Sequence, residues 1–479
     1  MEPSGLIRSV NVTTERLGTA ARPLRVAIIG AGPAGFYAAD ALIKQKDLVC
    51  QIDFFNRLPT PYGLVREGVA PDHESIKAVT RVYDKVAAAP NVRYFGNVTF
   101  GRDIFHEDVK QLYDQIIYAV GAQSDRKMGI TGEDLDGSFP ATIFVGWFNG
   151  HPDYRDLTFN LSHERVLVVG NGNVAMDVAR ILAADPEYLA KTDIADHALE
   201  ALRKSKVREI VMLGRRGPAQ AAFTNPELKE FGELDGVDVI IDPTEMELDP
   251  VSEASLADDK TARRNVELMR TYSEGGSTGA PRRIVMRFLV SPVGVIGSGN
   301  RVAAVTIERN QLKQAADGSL KAMGTGNYET LQCGMILRSV GYRGSPIPGV
   351  PFSDSSGTIP NVAGRVFQDR DEVLPGEYVV GWAKRGPSGI IGTNKPDSVS
   401  TVAAMIEDIP DLEGIADENR DLGAIENLLR SRNIDFVTYA DWQILDAYET
   451  AAGAAQGRPR VKVTSVAEMM EIIRAGREA

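Results

Sequence analysis

Val26-Ala27-Ile28-Ile29-Gly30-Ala31-Gly32-Pro33-Ala34-Gly35 is the stretch that decides the fold. Its apolar half reads as a buried strand, and the glycine spacing closes the turn into a helix. The first glycine allows a tight turn, and the second lets backbone approach a pyrophosphate. The third keeps the helix close to the strand. Free N–H groups and the partial positive charge at the helix start then favour phosphate. The pattern recurs at Val166-Leu167-Val168-Val169-Gly170-Asn171-Gly172-Asn173-Val174-Ala175. Either loop alone is also a plain strand-to-helix turn. Two of them in one chain point to a protein that holds two dinucleotides and passes electrons between them.

Reading outward, residues 35–46 predict a helix and Cys50–Phe55 a strand. A polar segment rich in Pro and Gly follows over Leu58–His73. It is too irregular for an element, and long ordered loops are usually functional. Glu74–Ala89 has helical periodicity. Asp114–Val120 and Met335–Val340 are apolar strands that each run into a glycine, and they bracket the second loop. The bracketing predicts an α/β chain of two Rossmann-like dinucleotide-binding domains, one inserted into the other. Residues 23–122 and 340–479 form the outer domain with a C-terminal appendage, and 123–339 form the inserted one. Residues 1–22 read as a flexible leader. Residues 250–330 read as mixed strands and loops, and 183–204 as a helical insertion.

The end of a Rossmann unit's second strand faces the adenosine ribose. A carboxylate there bonds the ribose hydroxyls, whereas arginine accommodates a 2′-phosphate. In the inserted unit, the strand Glu209–Leu213 runs into Gly214-Arg215-Arg216-Gly217-Pro218. Paired guanidinium forks suit phosphate oxygens, so this unit takes NADP(H). A solvated basic turn is the bland alternative. The first unit has Asn56 at the matching place and no arginine pair, so by elimination it takes FAD.

Length and composition limit the alternatives. The chain has 479 residues, 43% of them hydrophobic, and a net charge of −12. That charge argues against a nucleic-acid partner. No apolar run is long enough to span a bilayer. Cys50 and Cys333 are the two cysteines, far apart. They form no C-x-x-C pair, which argues against a disulfide reductase and fits a reducing cytoplasm.

Taken together, these motifs resemble the adrenodoxin reductase-type ferredoxin–NADP(+) reductase family, including its bacterial members. The resemblance rests on both glycine loops and on Pro61-Tyr-Gly-Leu-Val-Arg66, Gly68-Val-Ala-Pro-Asp-His73 and Gly214-Arg-Arg-Gly-Pro218. Gly381-Trp-Ala-Lys-Arg-Gly-Pro-Ser-Gly-Ile-Ile-Gly392 completes it. It covers nearly the whole chain after residue 23. The main departure is Asn56, where the family mostly carries Glu. The resemblance implies FAD contacts at Gly30, Gly32, Pro33, Ala34, Gly35, Asn56, Leu64 and Phe100. It places Trp382, Gly389, Ile390 and Ile391 beside the flavin ring. It implies NADP contacts at Asn171, Gly172, Asn173, Val174, Arg215, Arg216, Glu227 and Gly389. It also implies hydride transfer between NADPH and FAD, then single-electron transfer with a ferredoxin.

His73 and Glu227 are the candidate catalytic residues, to relay a proton or orient the nicotinamide carboxamide. Asp72-His73-Glu74 also reads as an ordinary helix start capped by Asp72, and Asn225-Pro226-Glu227 as another. For the iron–sulfur partner, Arg203, Lys204, Lys206 and Arg208 form the densest basic cluster, with Lys384 and Arg385 as further candidates. No metal site is expected. Two other readings compete. A flavin monooxygenase fingerprint is nearly present at Phe144–Tyr154, with its histidine, His151, one residue late. A non-catalytic NADP(H)-sensing protein is the other.

Overall fold

The computed structural model describes residues 16–316, 318–368 and 372–478. They divide into two compact units. The first comprises residues up to Tyr62, Arg81–Gln123 and Gly344–Tyr439. The second comprises Gly63–Thr80, Ser124–Arg343 and Ala440–Ala479.

The first unit is built on a seven-stranded sheet. Leu24–Ile29 lies between Gln115–Tyr118 and Cys50–Phe55, parallel to both. Val92–Phe95 and Val373–Val379 extend the parallel part on either side. Arg365–Phe367 and Asn361–Val362 close one edge antiparallel. Leu24–Ile29 is buried along its whole length, as a central parallel strand must be. The order of connections reverses at this strand, and its carboxyl end is therefore the crevice where such sheets bind ligands. Helix Pro33–Ile43 starts there and packs on helix Asn394–Asp408, where Ser398 Oγ donates to Ala34 O at 2.9 Å.

The second unit repeats the plan with six parallel strands. The order is Ser138–Pro140, Met335–Arg338, Arg165–Val169, Glu209–Leu213, Arg282–Arg287, Val237–Ile241. Helix Asn173–Ala183 starts at the end of the strand Arg165–Val169. A three-stranded antiparallel sheet, Val290–Ser298, Arg301–Gln314 and Leu320–Gln332, follows the main sheet in sequence.

Several elements differ from the sequence reading. Glu74–Ala89 is two helices, Glu74–Lys77 and Thr80–Ala87, in different units. Residues 250–330 open with helices Pro250–Ser255 and Lys260–Gly275, each capped by an aspartate, Asp249 or Asp259. The helical stripe Ala262, Val266, Met269 is buried, but the polar residues between these positions hide it in the sequence. The leader expected over 1–22 lies outside the described residues up to 15. Residues 16–22 are not loose, because Leu17 is buried and Val49 N donates to Gly18 O at 2.8 Å.

The largest difference is the tail. Residues 440–479 and the loop 63–80 belong to the second unit, not the first. Buried ion pairs hold them there. Arg66 makes a fork to Glu449 at 2.8 and 2.5 Å, and its guanidinium lies over Trp442. Lys462, 1% exposed, reaches Asp193 at 3.2 Å and donates to Arg66 O at 3.1 Å. These residues lie nearly four hundred positions apart in sequence, which no local pattern announces.

Candidate functional site

The two glycine turns are built alike. Gly30 has φ +105°, and a Cβ on it would stand 2.6 Å from Ala119 O. Gly170 has φ +129°, and a Cβ there would collide with Ser339 O. Only glycine fits either place. Around Gly32 and Gly172, by contrast, an added Cβ would meet nothing within 4 Å. Neither helix start carries a side-chain cap. Both turns therefore present free amides to open space, as a pyrophosphate requires.

In the first unit, Asn56 is bonded to the loop that follows it and to the glycine turn. Its Nδ2 donates to Leu58 O at 3.0 Å and to Thr60 O at 2.9 Å, and its Oδ1 accepts from Ala31 N at 3.3 Å. The side chain braces the loop 57–62 against the glycine turn. Phe100 packs edge-on against Tyr118. Leu64 lies in the second unit, opening the short helix Leu64–Glu67.

The segment 381–393 is a chain of tight turns in the first unit. Gly381 N donates to Asp397 Oδ2 at 2.7 Å, and Trp382 Nε1 donates to Ser388 O at 3.2 Å. Gly389 has φ +82°, and a Cβ would strike the Thr393 side chain. Glycine is thus required by the backbone there, apart from any room it leaves for a ligand. Ile390 is 60% exposed, with Ile391 half-buried beside it at the start of the turn Ile391–Thr393. Lys384 pairs with Asp397 at 3.0 Å and Arg385 donates to Asn394 Oδ1 at 2.7 Å. Both cations have partners within the unit. Arg203 is likewise paired with Glu187 and Glu200, and Lys204 stands 4.0 Å from Glu200.

The second unit shows the opposite condition at Arg215 and Arg216. Arg215 is exposed and Arg216 half-buried. Neither guanidinium has a hydrogen-bond or ion-pair partner among the described residues. The turn that carries them follows the strand Glu209–Leu213, next in the sheet to the strand that feeds the Gly170 turn. Two uncompensated cations beside bare helix amides form a dianion-binding arrangement.

Further along the same helix lies a buried ionic cluster. Arg180, 2% exposed, holds Asp72 by a fork at 2.7 and 3.0 Å, Asp177 at 2.6 Å and Glu227 at 3.0 Å. His73 Nε2 meets Glu230 at 2.8 Å, and its Nδ1 stands 3.7 Å from Asp177. Asp72 is therefore an Arg180 ligand and not a helix cap. The cap position belongs to His73, and it makes no capping bond. Asn225 similarly gives its amide to Thr261 O and Asn265 Oδ1. Asn173 Oδ1 accepts from Thr224 N at 2.9 Å, tying the start of helix Asn225–Phe231, and so Glu227, to the glycine turn.

The cluster shifts its own protonation. Burial and the charge of Asp177 push Glu227 up to about 7. Burial works against a charged His73, but its bond to Glu230 and the nearby carboxylates raise its pKa above the ordinary value. Burial opposes ionisation of Asp72, yet Arg180 holds its pKa below normal. Ligand atoms of His73, Asp177 and Glu227 all lie within 4.8 Å of one another, a spacing a metal ion would accept. The cation already seated on both carboxylates is Arg180.

The monooxygenase-like stretch is core. Phe144 packs on Trp147, Phe148 and Phe159, while His151 lies against Tyr154. Cys50 and Cys333 are both buried, and burial raises both thiol pKa values, to about 11 and about 12. No described helix is long and apolar enough to cross a membrane.

Comparison with known proteins agrees with this geometry. Residues 24–212 match the pyridine nucleotide-disulphide oxidoreductase family. The chain is 47% identical over 462 residues to the NADPH-ferredoxin reductase FprA of Mycobacterium tuberculosis, covering 94% of this chain and 99% of that one. It is 38% identical to the mitochondrial NADPH:adrenodoxin oxidoreductase of Arabidopsis thaliana, covering 94% and 95%. The solved structure of the M. tuberculosis FprA in complex with NADPH superposes with a TM-score of 0.89 at 47% identity, covering 95% of this chain and all of that one. With its two dinucleotide turns and no cysteine pair, the chain belongs to the NADPH-ferredoxin reductase family of FAD- and NADP-dependent oxidoreductases.

Proposed function

We propose that this chain takes reducing equivalents from NADPH onto FAD and delivers them singly to a small ferredoxin-type iron–sulfur protein in the cytoplasm. The observation that carries the NADPH assignment is the unpartnered Arg215–Arg216 pair beside the open Gly172 turn. Bound together, the two cofactors supply the hydride chemistry. The protein's part is positioning and proton control.

Each residue has a distinct task. Amides around Gly32–Gly35 and Gly172–Val174 take the two pyrophosphates, with Asn171 at the second turn. Asn56 shapes the FAD loop by bracing it. Trp382 and Gly389–Ile391 form the flavin-ring side of the first unit. Glu227, near neutrality in its pKa, holds or releases a proton next to the NADP turn, and His73 does the same through Glu230. Both orient the nicotinamide carboxamide by hydrogen bonding. Lys206 and Arg208, exposed and free of ion pairs among the described residues, are the basic groups left to meet an acidic ferredoxin.

Anaerobic reduction of a terminal haem acceptor by NADPH, with and without ferredoxin, tests the reading. Strong stimulation by ferredoxin is expected. Rapid flavin reduction with no stimulation by any ferredoxin would contradict the partner. In the same assay, His73→Ala should keep its flavin and turn over more slowly. Flavin loss with an unchanged rate per bound flavin would make His73 structural. Lys206→Glu should raise the KM for ferredoxin and its salt sensitivity, and no change in either would remove this dock.

A further inference from the structure

The turn that carries the arginine pair is held in an unusual way. Three successive carbonyls, those of Gly214, Arg215 and Arg216, each accept a hydrogen bond from the segment that begins the antiparallel sheet or from its long central strand. Val290 N donates to Gly214 O at 3.0 Å, and Leu289 N donates to Arg216 O at 3.1 Å. The middle bond comes from a side chain: Asn310 Nδ2 donates to Arg215 O at 2.9 Å. The second Nδ2 proton goes to Ser291 Oγ at 2.8 Å. Asn310 N also donates to Leu289 O at 2.7 Å, and Leu289 itself sits at φ +54°.

This arrangement departs from what a strand would do by default. Along Arg301–Gln314 the inward positions include Val305 and Ile307, so simple alternation would next bury Arg309. The ladder slips between Glu308 and Asn310, and Asn310 is buried instead, 9% exposed. A polar amide thus replaces the next apolar core residue, and all its donor capacity is spent on the arginine turn and on Ser291. Non-glycine residues at positive φ and register slips both cost free energy, and they tend to mark positions with a task. Both guanidiniums on this turn are unpartnered among the described residues.

We infer that Asn310 is a positioning residue that aims Arg215 and Arg216 at the 2′-phosphate, so that the antiparallel sheet sets the preference for NADPH over NADH. The inference rests on the Arg215–Arg216 assignment proposed above. Asn310 touches no ligand in this account. It fixes the one backbone carbonyl between the two side chains that do the binding.

The test is calorimetric binding of 2′,5′-ADP and of 5′-AMP to the purified flavoprotein. These probes differ by the phosphate in question and involve no turnover. Asn310→Leu should weaken 2′,5′-ADP by about five- to ten-fold, the worth of one buried hydrogen bond plus some loss of aim. Binding of 5′-AMP should stay within about two-fold, and flavin content should be unchanged. Asn310→Val, smaller than leucine and also without the donor, should show the same selective loss and serves if the leucine variant folds poorly. Ser291→Ala disturbs the same buried spot while sparing the bond to Arg215, and it should leave both probes unchanged. Arg216→Ala separates the two levels of the argument. If it loses 2′,5′-ADP selectively while both Asn310 variants do not, the inference on Asn310 is overturned and the arginine assignment stands. If Arg216→Ala weakens both probes equally, the arginine assignment itself falls. Equal weakening of both probes by the Asn310 variants would make Asn310 a general fold residue and overturn the inference as well.

Discussion

The two nucleotide turns share one geometry and differ in what stands at the ribose end. In the first unit, Asn56 gives both amide protons to Leu58 O and Thr60 O and accepts from Ala31 N, and Asp53 nearby in the same unit is held by Arg93 and Tyr113. In the second unit, Arg215 and Arg216 are left without partners among the described residues. The first place has spent its polar groups on the protein, and the second leaves its two arginines unpaired. On the proposed assignment of the arginine pair, the difference serves selectivity. NADPH differs from NADH by one phosphate. Only charges not already neutralised can read that difference.

The contrast can be broken most violently at Arg180. Arg180→Leu would leave Asp72, Asp177 and Glu227 buried without their cation, at a cost of about 3–5 kcal/mol. Urea unfolding followed by far-UV circular dichroism should show that loss, and a variant as stable as the parent would mean the cluster is more hydrated than its burial implies. Arg216→Ala comes next. It should weaken NADPH by about 1.5–3 kcal/mol, the range for a hydrogen bond to a charged group, and leave NADH almost unaffected. Equal losses for both coenzymes would contradict a reserved phosphate site.

In the first unit the corresponding change acts on stability. Asn56→Ala removes the brace and should lower the temperature of flavin release, corresponding to about 1–2 kcal/mol, without altering coenzyme preference. A change in the NADPH to NADH ratio there would erase the distinction between the units. The smallest effect is in pH. Glu227 has a raised folded pKa, so its contribution to stability is complete below its unfolded value near 4.5 and is lost as pH rises through about 7. Glu227→Gln should therefore gain stability relative to the parent as pH rises from 5 to 8. A stability difference that stays flat across that range would mean Glu227 is ionised throughout.

Local patterns in the sequence carried the strand–turn–helix units, because apolar runs and glycine spacing act over a few residues. Cys50–Phe55 and Glu209–Leu213 fall where the sequence places them. The arginine pair was legible for the same reason. What the sequence concealed depends on distance. Asp72 looks like a cap until Arg180 is seen beside it, and the tail looks inert until Glu449 and Lys462 meet Arg66. Asn310 gave no signal, since a single polar residue in a strand predicts only an outward face. Asn56 was placed correctly, but its amide could not be known to be engaged without the loop it braces.

The most direct test of reserved charge is to measure dissociation constants of NADPH and NADH for the flavoprotein and for Arg215→Ala/Arg216→Ala. A strong preference for NADPH is expected in the parent, collapsing towards parity in the double variant while NADH affinity and flavin content hold. A preference that survives the loss of both arginines would contradict it, because the selecting charge would then have to lie elsewhere.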